Sequence, residues 1–285
     1  MTLLRGSAPA KVNLTLHVTG QRSDGYHLLD SLVVFAGLFD EITATPANDL
    51  QLRVTGPFSE GVPTDETNLV MRAARALQSA RGVQAGAHLH LEKNLPHAAG
   101  IGSGSSDAAM TLAILAELWG IDQLEANAPE VVALGADVPV CLQAPNPIHM
   151  TGIGDHLAAC PALPECALVL VNPRVAVPTS AAFAGLGNKR NSAMDQLPAG
   201  LTFKGFAGWL NAQRNDLLSP TKHLAPEVGD AISKLNAMPQ VVYAGMSGSG
   251  ATCFGLVRNM ADARQVSRAI QISAMNWWVA PATIL

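Results

Sequence analysis

The amino-acid sequence predicts a protein that mixes α-helices with β-strands. Segments in which apolar and polar side chains alternate exchange with segments whose apolar residues recur at helical spacing, and this holds in both halves of the chain. The 285 residues are 48% apolar and 14% charged, so the chain can bury a substantial core and does not resemble a disordered sequence. No internal repeat interrupts this pattern, which favours an ordinary globular organisation.

In the first half, each element rests on its periodicity. The apolar residues Val12, Leu14 and Leu16 alternate with polar neighbours and predict a strand with one buried face. Val70, Ala73 and Leu77 instead follow helical spacing, and Gly82 is placed to end that helix. The elements predicted in order are strands at 3–20, 28–44 and 48–55, a helix at 67–81, a strand at 88–91, and a helix of about 14 residues that ends at Gly120.

Ser105, Ser106 and Asp107 are natural N-cap and first-turn residues, so we expect the Gly120 helix to begin there. A short helical segment then precedes Gly135. The proline-rich segment 160–166 suggests a boundary, and we expect two domains, residues 1–160 and 161–285. The second half is predicted to contain a strand at 166–171, helices near 203–213 and 225–237, a strand at 252–257, a helix near 261–274 and a strand at 276–284.

Composition excludes several classes of function. The net charge of −4 and the 5% aromatic content argue against a surface for nucleic acid or anionic membranes. No apolar run is long enough to span a membrane, and the N-terminal segment makes a poor signal peptide. The four cysteines fit no zinc spacing, and His88 and His90 read as solvated side chains, so no metal site is predicted. We expect a cytoplasmic protein with free thiols.

The segment from Pro96 to Ser106 is the most informative part of the sequence. Its glycines allow positive φ angles and close approach to a ligand, and a Gly/Ser loop that opens a helix presents unpaired N–H groups to phosphate. An ordinary flexible loop is the competing interpretation. Neither the Walker pattern nor GxGxxG occurs in the chain, so the usual nucleotide and dinucleotide fingerprints, including that of a dehydrogenase, are missing.

Three blocks considered together resemble a known family. They are PAKVNLTLHVTGQRSDGYH at 9–27, LPHAAGIGSGSSDAA at 95–109 and AGMSGSGATCFGL at 244–256. In order and spacing they are similar to the three motifs of the GHMP small-molecule kinases. The first block, with GADVPV at 135–140 and DETNLVMRAA at 65–74, resembles the branch whose acceptor is a methylerythritol unit linked to a diphosphocytidyl group.

The resemblance implies an α+β fold of two lobes, the N-terminal lobe like ribosomal protein S5 domain 2 and the C-terminal lobe ferredoxin-like. It also implies transfer of a phosphoryl group from ATP, with Mg²⁺ accompanying the nucleotide, to the C2 hydroxyl of the methylerythritol unit, a step toward isopentenyl diphosphate by the non-mevalonate route. Its partners would be these small molecules, and the chain would be a monomer or a weak homodimer.

The resemblance assigns catalysis to Lys11 and Asp137, with Asp137 as general base. Alone, Asp137 could be a structural N-cap and Lys11 an exposed strand lysine. The resemblance places the acceptor at Asn13, Tyr26, His27, Thr179 and Gly248. It places ATP at Asn68, Leu69, Lys93, Pro96, His97, Ala98, Ala99, Gly100, Ile101, Gly102, Ser103, Gly104, Ser105 and Ser106.

The glycine-rich loop departs from the family pattern at three positions. Ala98, Ala99 and Ser103 stand where the branch usually has glycine. Because alanine favours negative φ, we expect a stiffer early loop and a weaker hold on ATP. Two alternatives stay open: a GHMP kinase for mevalonate, homoserine or a sugar, and a GHMP-fold sensor that binds a metabolite without phosphoryl transfer. The Asn215-Asp216 pair also matches the branch, with no chemistry assigned to it.

Overall fold

A computed structural model describes residues 3–285, and every structural statement below refers to that range. Strands and helices alternate along the chain as the periodicities predict. The strands are β1 Leu4–Asn13, β2 His17–Gln21, β3 His27–Ala47, β4 Leu50–Thr55, β5 Gly86–Glu92, β6 Ile148–Gly152, β7 His156–Ala159, β8 Ala167–Asn172, β9 Tyr243–Met246, β10 Cys253–Val257 and β11 Trp278–Thr283. The helices are α1 Leu69–Arg81, α2 Ser103–Trp119, α3 Pro129–Leu134, α4 Val138–Cys141, α5 Thr179–Ala184, α6 Phe203–Ala212, α7 Leu218–Leu224, α8 Glu227–Asn236 and α9 Met260–Ser273.

The chain forms two compact units, each built from several segments. Unit 1 comprises the chain up to Lys11, Leu38–His97 and Gly102–Ala144, and unit 2 comprises Val12–Gly37, Ala98–Ile101 and Pro145–Leu285. The domains expected at 1–160 and 161–285 divide the chain at one point, whereas these units interleave. Strand β3 crosses from unit 2 to unit 1 within its own length, because its 21 residues pair with different partners at its two ends.

Unit 1 packs helices on a small sheet. The second half of β3 pairs antiparallel with β5, and β5 pairs parallel with β4. Helices α1 and α2 pack together, and α1 buries the face that carries Val70, Ala73 and Leu77, as their spacing predicts. Asn68 caps the start of α1 by accepting a hydrogen bond from the Val70 amide at 2.8 Å. The prediction for this helix is therefore confirmed, including its end at Gly82.

Unit 2 contains an antiparallel sheet in the order β11-β8-β10-β9. Numbered from its own first strand, this is the order 4-1-3-2, which the split β-α-β arrangement of ferredoxin-like folds produces. Helices α8 and α9 pack on this sheet, and residues such as Val169, Val228 and Ile270 form its fully buried core. The ferredoxin-like character expected from the resemblance thus follows from the observed strand pairing.

Helix α2 corrects one prediction. It begins at Ser103, with Gly102 as its N-cap at φ +58°, so the expected start at Ser105–Asp107 is wrong. Those three residues instead lie in the first two turns of the helix, because the left-handed conformation at Gly102 turns the chain into the helix earlier than a serine cap would. The predicted end at Gly120 is confirmed, where φ is +63°.

Most of the remaining differences concern short elements. Sequence patterns did not predict β6, β7, β9, α4, α5 and α7, and the strand expected over 3–20 is two strands, β1 and β2. Elements of four to seven residues are too short for a periodicity to identify. None of the helices between residues 3 and 285 combines the length and the apolar character that a membrane crossing needs.

Candidate functional site

The two predicted catalytic side chains meet in unit 1. Lys11 lies near the end of β1, and its Nζ is 2.9 Å from Oδ2 of Asp137, the residue that precedes α4. The lysine side chain is only 4% exposed, whereas that of Asp137 is 37% exposed. Asp137 occupies an N-cap position, yet its side chain makes no capping hydrogen bond. The Asp137 carboxylate therefore does not cap the helix, which excludes the structural role considered for it. Lys11 is buried and is not an exposed strand lysine.

Gly102 of the glycine-rich loop lies against this ion pair. A Cβ atom at Gly102 would be 2.8 Å from Lys11 Cε and 3.6 Å from Asp137 Oδ2. Only glycine therefore fits here without displacing the lysine, and the positive φ of this residue adds a second reason for it. The loop residue that opens α2 and the two charged side chains thus form one cluster within unit 1.

The glycine-rich loop takes left-handed backbone conformations at Ala98, Gly100 and Gly102, with φ of +51°, +77° and +58°. The expectation that alanine at 98 stiffens the loop into negative φ is therefore wrong for this residue, because the surrounding chain holds the alanine in the conformation that glycine would adopt. The loop leads directly into the first turn of α2, whose N–H groups are oriented toward the helix start. Such a helix start attracts anions.

In unit 2, the hydroxyl of Ser247 joins the glycine-rich loop to Asn13, the last residue of β1. Ser247 Oγ accepts a hydrogen bond from the Asn13 amide at 3.0 Å and donates one to the Gly100 carbonyl at 2.8 Å. A Cβ at Gly100 would lie 2.5 Å from the Ser247 carbonyl oxygen, so these two loops touch through their backbones. The predicted Gly248 lies beside this contact, with φ +57°. Ser247 itself was missed.

The predicted acceptor residues are held in different ways. Tyr26 is 59% exposed on its turn, whereas the His27 ring stacks on Phe183 with ring centroids 4.7 Å apart. His27 Nε2 is buried and has no hydrogen-bond partner among the described residues. Burial, with a smaller contribution from Lys189, lowers the pKa of His27, so its ring is neutral at pH 7. Phe183 is a second missed residue, since it lies 156 positions from His27 in sequence.

Thr179 opens helix α5, and its hydroxyl lies 2.8 Å from the hydroxyl of Ser249. This contact joins the predicted threonine to the loop that carries Gly248. Asn13 directs its side-chain amide to Ser31 Oγ at 2.8 Å and is 1% exposed. Both residues thus lie in the hydrogen-bonding network of unit 2.

Lys93, which is predicted to contact the nucleotide, is buried in a cluster of charged side chains. Its ammonium is buried between the carboxyl groups of Asp40 and Asp107, at 2.6 Å from Asp107 Oδ2. Asp40 also accepts hydrogen bonds from the amides of Asn94 and Leu95, where the chain enters the glycine-rich loop. Burial raises the pKa of Asp107 to about 8, despite the opposing charge of Lys93. Lys93 is therefore connected, through Asp40, to the two backbone amides that precede the glycine-rich loop.

The other predicted nucleotide residues fall into three settings. Asn68 caps α1, and its Nδ2 donates to the Pro63 carbonyl at 2.6 Å. Leu69 lies beside the loop, 3.6 Å from where a Cβ of Gly104 would be. Ser103 Oγ donates to the Pro96 carbonyl at 3.2 Å and closes the loop on itself. His97 is exposed.

No group of three metal-ligating side chains occurs among residues 3–285. His88 is exposed and lies 3.2 Å from Asp49, and His90 lies 2.7 Å from the Thr55 hydroxyl. Apart from these histidines, unit 1 offers a carboxylate, an ammonium and a helix start of the kind that attracts anions, and a phosphoryl transfer uses such groups.

Comparisons with known proteins agree with this chemistry. Residues 68–160 match the family model for the GHMP kinases N terminal domain, and residues 202–275 match that for the GHMP kinases C terminal. The chain is 50% identical over 280 residues to a 4-diphosphocytidyl-2-C-methyl-D-erythritol kinase of Cereibacter sphaeroides, covering 98% of each sequence. It is 46% identical over 286 residues to the enzyme of that name from Paramagnetospirillum magneticum, covering 100% of both.

Solved structures give the same result. A crystal structure of a 4-(cytidine 5'-diphospho)-2C-methyl-D-erythritol kinase superposes with a TM-score of 0.79 at 31% identity, covering 98% of this chain and 99% of that one. The mevalonate kinase of Methanococcus jannaschii superposes with a TM-score of 0.69 at 13% identity, covering 100% and 99%. The second similarity concerns the fold alone.

Proposed function

The chain belongs to the 4-diphosphocytidyl-2-C-methyl-D-erythritol kinases of the GHMP kinase family, and from this we propose its reaction and the roles of its residues. The enzyme transfers the γ-phosphoryl group of ATP to the C2 hydroxyl of the methylerythritol unit, a step of isopentenyl diphosphate biosynthesis. The 2.9 Å pair of Lys11 and Asp137 against Gly102 is the observation that carries this proposal.

Asp137 acts as the general base. Phosphoryl transfer needs an aligned hydroxyl, compensation of the charge that spreads over the phosphoryl oxygens, and a group that takes the hydroxyl proton. The Asp137 carboxylate is 37% exposed and free of any capping role, so it can reach a bound alcohol. The buried Lys11 ammonium orients this carboxylate and carries the positive charge that a phosphoryl oxygen needs.

The glycine-rich loop and the start of α2 bind the phosphates of ATP, which enters with its Mg²⁺. Backbone N–H groups at the helix start carry partial positive charge, and the neighbouring serine hydroxyls supply further polar contacts. Leu69, beside Gly104, provides an apolar contact for the adenine ring of ATP. Lys93 contributes through the entry to the loop, because its ammonium is already held by the side chains of Asp40 and Asp107.

The cytosine of the acceptor binds at Tyr26 and His27. The buried Nε2 of the neutral His27 ring lacks a partner among the described residues, so a hydrogen bond to a cytosine edge would satisfy it. Phe183, stacked on that ring, supplies the aromatic surface next to it. Asn13, Thr179 and Gly248 contact the polyol and its phosphates.

The first experiment compares acceptors in a coupled assay of ADP release. The diphosphocytidyl methylerythritol acceptor is expected to give turnover, whereas mevalonate and homoserine give none. Asp137→Asn should then lower kcat by about 10² or more, because removal of a general base has an effect of that size. The exposed Asp122→Asn is the matched control and should retain wild-type kcat. Equal rates for Asp137→Asn and wild type would exclude Asp137 from the chemistry.

The second experiment tests the cytosine site. Tyr26→Ala and Phe183→Ala should each raise the KM of the acceptor and leave the KM of ATP unchanged, since stacking on a base contributes about 1–3 kcal/mol. Phe203→Ala, an aromatic removal in helix α6, is the control for loss of an aromatic ring in unit 2. An unchanged acceptor KM in both variants would exclude stacking at these residues.

A further inference from the structure

The sequence assigned no chemistry to the Asn215-Asp216 pair. Asn215 contacts the loop 247–252 between β9 and β10, called the Gly/Ser loop below. Asn215 Nδ2 donates to the carbonyls of Met246 and Gly248, at 2.8 and 2.9 Å. Its Oδ1 accepts from the Leu217 amide at 2.9 Å. Two carbonyls on one side and an N–H on the other determine which way the amide group faces. One side chain therefore spans the base of the loop with both of its donors.

This contact fixes the orientation of the loop. The peptide groups between Met246 and Ser247 and between Gly248 and Ser249 are planar and trans, so in each the N–H points opposite to the carbonyl. With the Gly248 carbonyl directed at Asn215, the Ser249 N–H points away from Asn215. By the same rule the Ser247 N–H points away, and it donates to the Thr252 carbonyl at 2.9 Å. The amide of Asn215 thus holds the two loop peptides in a single arrangement.

The loop passes this arrangement on to the glycine-rich loop within unit 2. Ser247, between the two carbonyls held by Asn215, donates its hydroxyl hydrogen to the Gly100 carbonyl at 2.8 Å. Ser247 is fully buried, so this bond is not exchanged with solvent. Asn215 thus holds the residues on either side of Ser247, and the Ser247 hydroxyl in turn holds Gly100, so the loop backbone connects the two sets of hydrogen bonds.

Asp216 has a separate task. Its carboxylate accepts from the Val18 amide at 2.7 Å, from Asn191 Nδ2 at 3.1 Å and from Arg214 Nε at 2.7 Å. These contacts join β2 and the chain before α6 to the segment between α6 and α7, and they do not touch the Gly/Ser loop. Of these two adjacent residues, Asn215 therefore holds the Gly/Ser loop, whereas Asp216 connects other segments of the fold.

We propose that Asn215 is a positioning residue for the kinase reaction, which acts through Ser247 to hold Gly100 in the conformation that binds ATP. The inference rests on the proposed function for the identity of the nucleotide. A side-chain amide is required here, because no other side-chain group of this size offers two hydrogen-bond donors and one acceptor. A carboxylate of the same shape would place an oxygen against two carbonyl oxygens and repel the loop.

The test uses Asn215→Asp, with Asn211→Asp as matched control. Asn211 makes the same kind of bond, from Nδ2 to the Ala207 carbonyl at 2.8 Å, but inside helix α6 and away from the loop. Titration with a non-hydrolysable ATP analogue should show affinity reduced about threefold to tenfold for Asn215→Asp, the effect of a lost hydrogen bond, and unchanged for the control. In turnover, the KM of ATP should rise by about the same threefold to tenfold, and kcat/KM for ATP should fall to the same extent.

Two further variants separate positioning from general damage. Asn215→Ala removes both donors without adding charge and replaces Asn215→Asp if that protein does not fold. Ser247→Ala should produce the same loss, and the double variant Asn215→Ala with Ser247→Ala should lose no more than either single change. If a substitution merely unfolded part of the protein, kcat would fall. The KM of ATP and the analogue affinity of the molecules that remain folded would then stay at their wild-type values.

Equal analogue affinity and equal KM of ATP in Asn215→Asp and Asn211→Asp would overturn the proposal, as would multiplicative losses in the double variant. Absence of turnover in the wild type would instead contradict the proposed acceptor. The analogue titration still decides the role of Asn215 in that case, because it needs no acceptor.

Discussion

Replacement of Gly102 by alanine directly tests the geometry of the proposed catalytic cluster, which consists of Lys11, Asp137 and Gly102. Gly102 has φ +58°, and an L-residue in this conformation costs about 1–2 kcal/mol. The added Cβ would also lie 2.8 Å from Lys11 Cε, whereas carbon atoms in contact prefer about 3.5–4.0 Å. The lysine must therefore move by about 1 Å, and a displacement of this size at a reacting group lowers rates by about 10².

Gly120 provides the matched control at the other end of the same helix. It has φ +63°, and a Cβ there would meet no atom within 4 Å. Gly120→Ala therefore carries the backbone cost without any displacement of a neighbour. Both variants should lose about 1–2 kcal/mol in the free energy of unfolding, measured by urea titration.

Only Gly102→Ala should lose activity. In the assay of ADP release, its kcat/KM is expected to fall by about 10², while Gly120→Ala keeps the wild-type value at a temperature where both are folded. Wild-type kcat/KM in Gly102→Ala would refute the reasoning, because Lys11 would then tolerate a displacement from Asp137. An equal loss in Gly120→Ala would refute it as well, since the effect would then come from stability.

Two further changes have signs that the structure determines. Ala98→Gly should raise the free energy of unfolding by up to about 1 kcal/mol, because it relieves the left-handed strain at φ +51° at a smaller entropic cost; Ala99→Gly, the control, should only destabilise. The pKa of Asp107 is raised to about 8 in the folded protein. Its contribution to the free energy of unfolding is therefore full at low pH and is lost as the pH rises toward 8. Asp107→Asn should therefore be more stable than wild type at pH 8 and not at pH 4, in urea titrations at both values. A difference independent of pH would contradict this, and the exposed Asp122→Asn should show none.

The sequence was sufficient where the signal is local or carried by a motif. Helix α1 follows from the spacing of its apolar residues, and Gly82 ends it because glycine accepts a left-handed conformation without cost. The motif blocks were likewise enough to identify the family and to name Lys11 and Asp137 together, although 126 positions separate them. A motif match needs only residue types in order, so distance along the chain does not weaken it.

The tertiary structure decided what depends on contacts between distant residues. Ser247 meets Gly100, Phe183 meets His27 and Asp40 meets Lys93 only after strands and loops have packed, and no periodicity encodes such pairs. The same holds for Ala98, whose positive φ opposes its own preference and is imposed by the surrounding chain. Local propensities amount to about 1 kcal/mol per residue, so packing and buried hydrogen bonds outweigh them wherever the two disagree.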